Sequence, residues 1–166
     1  MRRNKIVKTV LGLVAIIAMA GTAFGYSGSV ARAEDAQPTA AQPFALTPAP
    51  SNAPFSAFDP KHKFLGNGLS SITASKGKVT VNATTTANQV VDSIGITFYV
   101  QKWNGSSWDN VGSGSTSGDN SISYYSTTFS KTVDAGYYYR ARTIHWIIHN
   151  GVYEDGEVIT SSVLGI

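Results

Sequence analysis

The chain contains no cysteine. A disulfide framework, a thiolate metal site, a catalytic thiol and a lipid-modified N-terminal cysteine are therefore all excluded. Small exported domains often depend on disulfides, and a domain without them must bury a sufficient apolar core. The roughly 100 residues from 64 to 166 meet that condition, because a chain of this size buries well over half of its unfolded surface.

Proline is absent from residues 64–166, and all six prolines of the chain lie in residues 34–63. Proline blocks helix interiors and interrupts the hydrogen-bond ladders of sheets. We therefore expect residues 34–63, which are also rich in Ala, Ser and Gln, to be a disordered linker. A pro-segment that is trimmed later is the alternative interpretation. Residues 64–166 are predicted to form the single folded domain.

Long apolar runs are lacking except near the N-terminus, where residues 10–24 follow four basic residues in the first eight. This run of about 15 residues is shorter than the roughly 20 that a membrane-spanning helix needs. Ala31-Arg32-Ala33 places small residues at the two positions that signal peptidase reads. We expect residues 1–33 to be a signal peptide cleaved after Ala33, with Gly25 as an alternative cleavage position. The protein is then secreted, and its contact with the membrane is transient.

A basic surplus is also lacking once this leader is removed. The whole chain has a formal net charge of +3, but the leader holds five of the 13 basic residues and none of the ten acidic ones. The remainder has a net charge of −2. We therefore expect neither nucleic acid nor an anionic membrane to be a partner.

The predicted domain shows a period of two, which is typical of strands with one buried face. In the clearest run, one side of the strand is apolar and the other is polar or aromatic: Ile94, Ile96, Phe98 and Val100 against Thr97, Tyr99, Gln101 and Trp103. Turn signals separate such runs at Asn104-Gly105, Asp134-Ala135-Gly136 and Asn150-Gly151. We read residues 112–119 as a loop or a weak edge strand, and residues 158–166 as the final strand. The pattern predicts an all-β domain, a single antiparallel β-sandwich of about seven strands.

The segment DAGYYYRAR, residues 134–142, resembles the corner and penultimate strand of fibronectin type III and immunoglobulin-like sandwiches. In those folds a tyrosine hydroxyl bonds back to the backbone of the preceding turn. The resemblance implies that Tyr139 is this corner tyrosine, with Tyr137 as the second candidate. The spacing of Arg140 and Arg142 predicts that these side chains and Tyr138 point outward, and that Tyr139, Ala141 and Thr143 point inward.

Residues 64–166 also resemble an uncharacterised family of small secreted proteins from Gram-positive bacteria. The resemblance is carried by VDSIGIT at residues 91–97, QKWNGSSW at 101–108 and GYYYR at 136–140. The family is a domain of unknown function. The resemblance therefore implies a fold and an extracellular location, and no site residues.

The candidate ligand-binding residues are aromatic: Tyr99, Trp103, Trp108 and Trp146, with Tyr124 and Tyr125 nearby in the predicted sheet. Exposed tryptophans on a rigid sheet can stack on sugar rings. The alternative is cross-strand packing, in which Trp103 and Trp108 cover each other across one turn.

Catalytic and metal-binding patterns are lacking. His145 and His149 share one face of a strand but lie about 13 Å apart by strand rise, too far for a common metal. We expect His149 to meet Glu154 or Asp155 across the hairpin. There is no Gly-x-Ser-x-Gly motif, and most acidic residues occupy turn positions. We expect no enzyme activity, no metal and no cofactor.

These observations predict an extracellular binding or adhesion module for a glycan, the cell wall or an extracellular protein. The alternative is a structural component of the envelope or extracellular matrix that associates with itself through open edge strands.

Overall fold

The computed structural model describes residues 44–51 and 53–166, which contain eight strands. They are β1 (Phe55–Phe58), β2 (Leu65–Ser75), β3 (Lys78–Trp103), β4 (Trp108–Asn110), β5 (Ser115–Thr132), β6 (Tyr138–His149), β7 (Val152–Ile159) and β8 (Val163–Leu164). The predicted all-β class is confirmed for this part of the chain. Residues 44–51 and 53–166 include no helix that is long and apolar enough to span a membrane. The predicted leader, its cleavage site at Ala33 and residues 34–43 of the predicted linker lie outside the described residues.

The strands form one curled antiparallel sheet in the order β1-β7-β6-β3-β2, with β4 and β5 paired to β3 and β8 paired to β6. The first half of β3 pairs with β2 and with the second half of β5. The second half of β3 pairs with β6 and with the first half of β5. The register of β3 against β5 shifts between Thr86 and Val91, and such an irregularity bends a strand. The two halves of the sheet therefore share strands β3 and β5.

The core lies inside the curl, because both halves of β3 turn their apolar residues inward. The larger cluster is made of nine buried residues: Ile72, Val79, Val81, Ala83, Ile96, Phe98, Val100, Tyr139 and Ala141. A second cluster contains Leu65, Ala87, Val91, Ile94 and Ile147. The alternation read from residues 94–103 is thus confirmed, since the four apolar residues of that run are all buried.

The contact expected of Tyr139 is confirmed. Its side chain is 1% exposed, and its hydroxyl donates a 3.0 Å hydrogen bond to the backbone carbonyl of Asp134 in the preceding turn. Burial and the negative charge of Asp134 raise the pKa of the Tyr139 hydroxyl, so that it remains a donor at neutral pH. Strand alternation places Tyr138 on the face opposite Tyr139, as expected, but the exposure expected of this outward residue is wrong, because the side chain is only 6% exposed. Strand β8 pairs with β6 at this position, and Tyr138 borders a groove that it shares with Pro50.

The predicted boundary between linker and domain at residue 64 is too late. Strand β1 lies within the predicted linker and pairs with β7 at the edge of the sheet. Pro54 and Pro60 flank this strand instead of interrupting it, and an edge strand tolerates proline in such positions. Phe58 packs against Gly156, where an added Cβ would lie 2.2 Å from the phenyl ring. The described part of the linker therefore contributes to the fold.

Of the two readings of residues 112–119, the edge strand is correct from residue 115 onward, because β5 begins at Ser115 and pairs only with β3 among the described strands. One further expectation is wrong. The strand predicted at residues 158–166 is replaced by β7 at Val152–Ile159 and the two-residue β8. The sequence concealed β7 because its acidic residue Glu154 points inward, where period-two patterning expects an apolar side chain.

Candidate functional site

The four candidate aromatic residues lie on one outward face of the second half of the sheet. The register places Tyr99 beside Arg142, Trp146 beside Gly95, and Trp103 beside Trp108. We call Tyr99, Trp103, Trp108 and Trp146 the aromatic face. Each of the four is half-buried, with one side against the sheet. From Gly95 to Trp103 this face extends about 27 Å along β3, taking a rise of about 3.4 Å per residue.

Trp146 lies across two glycines of neighbouring strands. A Cβ added at Gly95 of β3 would be 2.3 Å from the indole ring, and one added at Gly118 of β5 would be 3.0 Å from it. Tyr99 lies in the same way against Gly114, with 2.5 Å from an added Cβ to its ring. Gly114 and Gly118, which suggested a loop in the sequence, thus join Gly95 in leaving the space that these aromatic rings occupy. A ring held in this way keeps its other side available for a ligand.

At the other end of the aromatic face, Trp103 and Trp108 pack against each other with ring centroids 5.3 Å apart and a 51° tilt. The guanidinium carbon of Arg140 lies 4.4 Å from the centroid of the Trp108 ring. The Trp103 indole N–H donates a 3.1 Å hydrogen bond to the carbonyl of Pro48. The cross-strand packing expected for this pair is therefore present, and Trp146 is the tryptophan of the face that has no tryptophan neighbour.

A charged pair lies between the two ends. Arg142 forms a bidentate pair with Glu157, at 2.9 and 3.1 Å, and its guanidinium carbon lies 5.5 Å from the Tyr99 ring centroid. The hydrogen bond with Glu157 raises the pKa of Arg142 against an opposing effect of desolvation. This part of the face offers fixed hydrogen-bonding groups beside a ring, an arrangement that suits the hydroxyls and the apolar faces of sugars.

The inward side carries a polar cluster that sequence reasoning missed. His145 is fully buried, and its Nδ1 lies 2.9 Å from the Thr85 hydroxyl. Its Nε2 lies 3.0 Å from the Thr143 hydroxyl and 3.1 Å from that of Ser70. Thr85 donates its own proton to the carbonyl of Gly95, so it accepts from His145 and Nδ1 carries the ring proton.

Burial governs the charge of this histidine. Desolvation lowers the pKa of His145 to about 4, against a smaller opposing effect of the Thr84 backbone. The imidazole is therefore neutral at pH 7. Hydroxyls satisfy both of its nitrogens, which explains how a histidine is accommodated in a small apolar core. The signal for this cluster in the sequence was weak, since its Ser and Thr residues are indistinguishable there from surface strand residues.

Glu154 is buried and anchors the chain before β2. Its carboxylate accepts hydrogen bonds of 2.8, 2.9 and 2.7 Å from the backbone N–H groups of Lys63, Phe64 and Leu65. Desolvation acts to raise the pKa of Glu154, but these bonds, together with the charge of nearby His62, outweigh it and lower the pKa below its usual value. The carboxylate thus acts as a structural clamp that remains ionised.

His149 does not pair with Glu154 or Asp155 as expected. Its Nδ1 lies 3.4 Å from a carboxylate oxygen of Asp92, within ion-pair distance but outside hydrogen-bond geometry. Its ring also packs edge-on against Phe64, with centroids 4.7 Å apart. In residues 44–51 and 53–166 no group of three or more His, Asp or Glu residues is placed to hold a metal ion. The aromatic face is therefore the candidate site that the described residues define best.

Comparison with known proteins adds no name for this site. No family model matches the chain, and no curated protein matches it.

Proposed function

We propose that the protein is a secreted, non-enzymatic binding module that recognises glycan, including cell-wall glycan, through its aromatic face. The observation that carries this proposal is that all four candidate aromatic residues share one outward, half-exposed face. A sugar ring presents an apolar C–H surface to an aromatic ring and directs its hydroxyls to the sides. Trp146 supplies such a ring, and the pair of Arg142 and Glu157 supplies charged groups along the same face.

The same proposal includes the finer classification of the fold. The contact from Tyr139 to Asp134 supports a relation of the curled sheet to immunoglobulin and fibronectin type III sandwiches. Secretion is supported by the leader in residues 1–33, with its basic start, apolar run and Ala31-Arg32-Ala33 cleavage signal.

The test is retention of the purified protein on isolated cell wall, chitin and cellulose, with binding followed by tryptophan fluorescence. We expect Trp146→Ala to weaken retention at least about tenfold, because loss of one buried aromatic contact in an interface costs about 2 kcal/mol or more. Tyr124→Ala is the matched control, since Tyr124 is a 57% exposed aromatic residue on the other half of the sheet. Failure to bind any of the three polymers, or equal retention of the Trp146→Ala variant, would contradict the proposal.

A further inference from the structure

Strand β5 is a long edge strand that nothing in the described residues covers on its outer side. It has 18 residues and pairs only with β3, so about every second residue directs its backbone N–H and C=O outward. On the other side of the first half of β3 lies β2, which is also an edge strand but is shorter, with 11 residues, and contacts β6 and β7. An uncovered edge is a template for another strand.

The side chains of β5 also lack the usual protection against such pairing. Natural edge strands are commonly guarded by proline or by several charges. Strand β5 contains no proline and two charged residues, Asp119 and Lys131. On the inner side of β5, Phe129 stacks on Phe98 with ring centroids 5.5 Å apart and is half-buried.

The second half of β5 is the regular part of this edge. From Tyr124 to Thr132 it pairs with Thr86 to Lys78 of β3 without interruption. Its outward face carries hydroxyls that already bond across strands, with Thr128 donating to Asn82 at 2.8 Å and Ser130 lying 3.1 Å from the Thr80 hydroxyl. The segment is therefore regularly paired, neutral on its outer face and nine residues long, with Thr128 at its centre.

We propose that this edge pairs with β5 of a second copy of the chain, antiparallel about a two-fold axis at Thr128. This register uses the whole regular segment and places Thr128 opposite the partner's Thr128, and Ser126 opposite the partner's Ser130. Hydroxyl pairs of this kind stabilise antiparallel strands. Lys131 then faces the partner's Tyr125, so the two lysines stay about 20 Å apart along the strands.

The pairing is independent of the glycan-binding proposal, because none of the four aromatic-face residues lies in residues 124–132. It would nevertheless place two aromatic faces in one assembly. Two linked sites on one polymer gain avidity without any new contact.

The experiment measures the mass of the protein, purified from cells that express the full chain, by sedimentation velocity and light scattering. We expect the mass of two chains. Thr128→Lys places two positive charges directly opposite each other, and Thr128→Glu places two negative charges there. Each variant alone should run as one chain, and an equimolar mixture of the two should recover the mass of two chains. The control is Thr73→Lys on β2, an exposed position of the same half of the sheet, which should leave the mass unchanged.

If the Thr128 variants do not fold, the double variant Ser126→Lys with Ser130→Lys serves in their place, because each introduced lysine then faces an introduced lysine of the partner, and it should also give one chain. The double variant Ser126→Glu with Ser130→Lys should keep the mass of two chains, since each introduced lysine faces an introduced glutamate of the partner. A protein that runs as one chain at every concentration overturns the proposal. A two-chain mass that survives Thr128→Lys overturns it as well, because the interface would then lie elsewhere.

Discussion

Acidification should unfold this protein mainly through one buried histidine. The folded-state pKa of His145 is about 4, whereas a histidine in an unfolded chain titrates near 6.5. Above pH 6.5 both states are neutral, and the histidine has no effect on pH dependence. As the pH falls from 6.5 toward 4, the unfolded chain binds a proton that the folded protein excludes, and stability is lost.

The size of this loss follows from the difference of about 2.5 pKa units. At about 1.36 kcal/mol per unit, the free energy of unfolding should fall by about 3 kcal/mol between pH 7 and pH 4. A domain of this size has about 5–15 kcal/mol in total, so the effect is large. Glu154 acts in a different window. The pKa of Glu154 is lowered in the folded protein. Its contribution to the free energy of unfolding is therefore fully present above pH 4.5, its usual pKa, and is lost as the pH falls from there through the lower pKa of the folded state.

Urea unfolding followed by tryptophan fluorescence at several pH values between 7 and 4.5 measures this slope. His145→Gln should be less stable at pH 7, because it loses part of a buried hydrogen-bond cluster, but its stability should hardly change down to pH 4.5. The matched control is His149→Gln, which should keep the wild-type slope because His149 is not the fully buried histidine. A His145→Gln variant that retained the full slope would refute the reasoning, and so would a wild-type protein with no slope above pH 4.5.

Four further expectations concern the fold and its processing. Tyr139→Phe removes one hydrogen bond and should cost about 0.5–1.5 kcal/mol, whereas Tyr139→Ala opens a cavity and should cost about 3–5 kcal/mol in denaturant unfolding. Tyr138→Ala should also be destabilising by more than about 1 kcal/mol, since its side chain is buried; a neutral result would contradict the placement of β8 beside it. Phe58→Ala should lower the melting temperature by several degrees, because Phe58 packs against Gly156. Phe55→Ala should not lower it, because the Phe55 side chain is 54% exposed. Equal melting temperatures for the two variants would mean that β1 is not docked on the sheet. N-terminal sequencing of secreted protein should begin at Glu34, and recovery of Met1 on membrane-bound protein would count against cleavage.

Much of the strand pattern could be predicted where local signals agreed. The alternation in residues 94–103 identified the buried face of β3, and Asn150-Gly151 identified the tight turn between β6 and β7, where both residues have positive φ values of 51° and 75°. Tyr139 was predictable because the spacing of Arg140 and Arg142, which follow it, separates the two faces of β6. The unpredicted elements lacked such agreement. Strand β1 is short and flanked by prolines, and the start of β5 is rich in glycine and serine, which left both a loop and a weak edge strand open there.

The sequence by itself determined the all-β class and which side of β3 is buried, because these depend on residues two positions apart. It also identified Tyr139 as the tyrosine that bonds back to the preceding turn, since that contact lies within one turn. Only the tertiary structure decided that β3 and β5 run through both halves of the curl and that glycines 95 and 118 support Trp146. It also decided how two buried polar residues are satisfied. His145 is hydrogen-bonded to hydroxyls of β2, β3 and β6. Glu154 accepts hydrogen bonds from the backbone N–H groups just before and at the start of β2. These partners are separated by 60 to 91 residues along the chain, apart from the neighbouring Thr143. A local pattern has no information on contacts at that separation, and burial of a polar group depends on such contacts to replace its water.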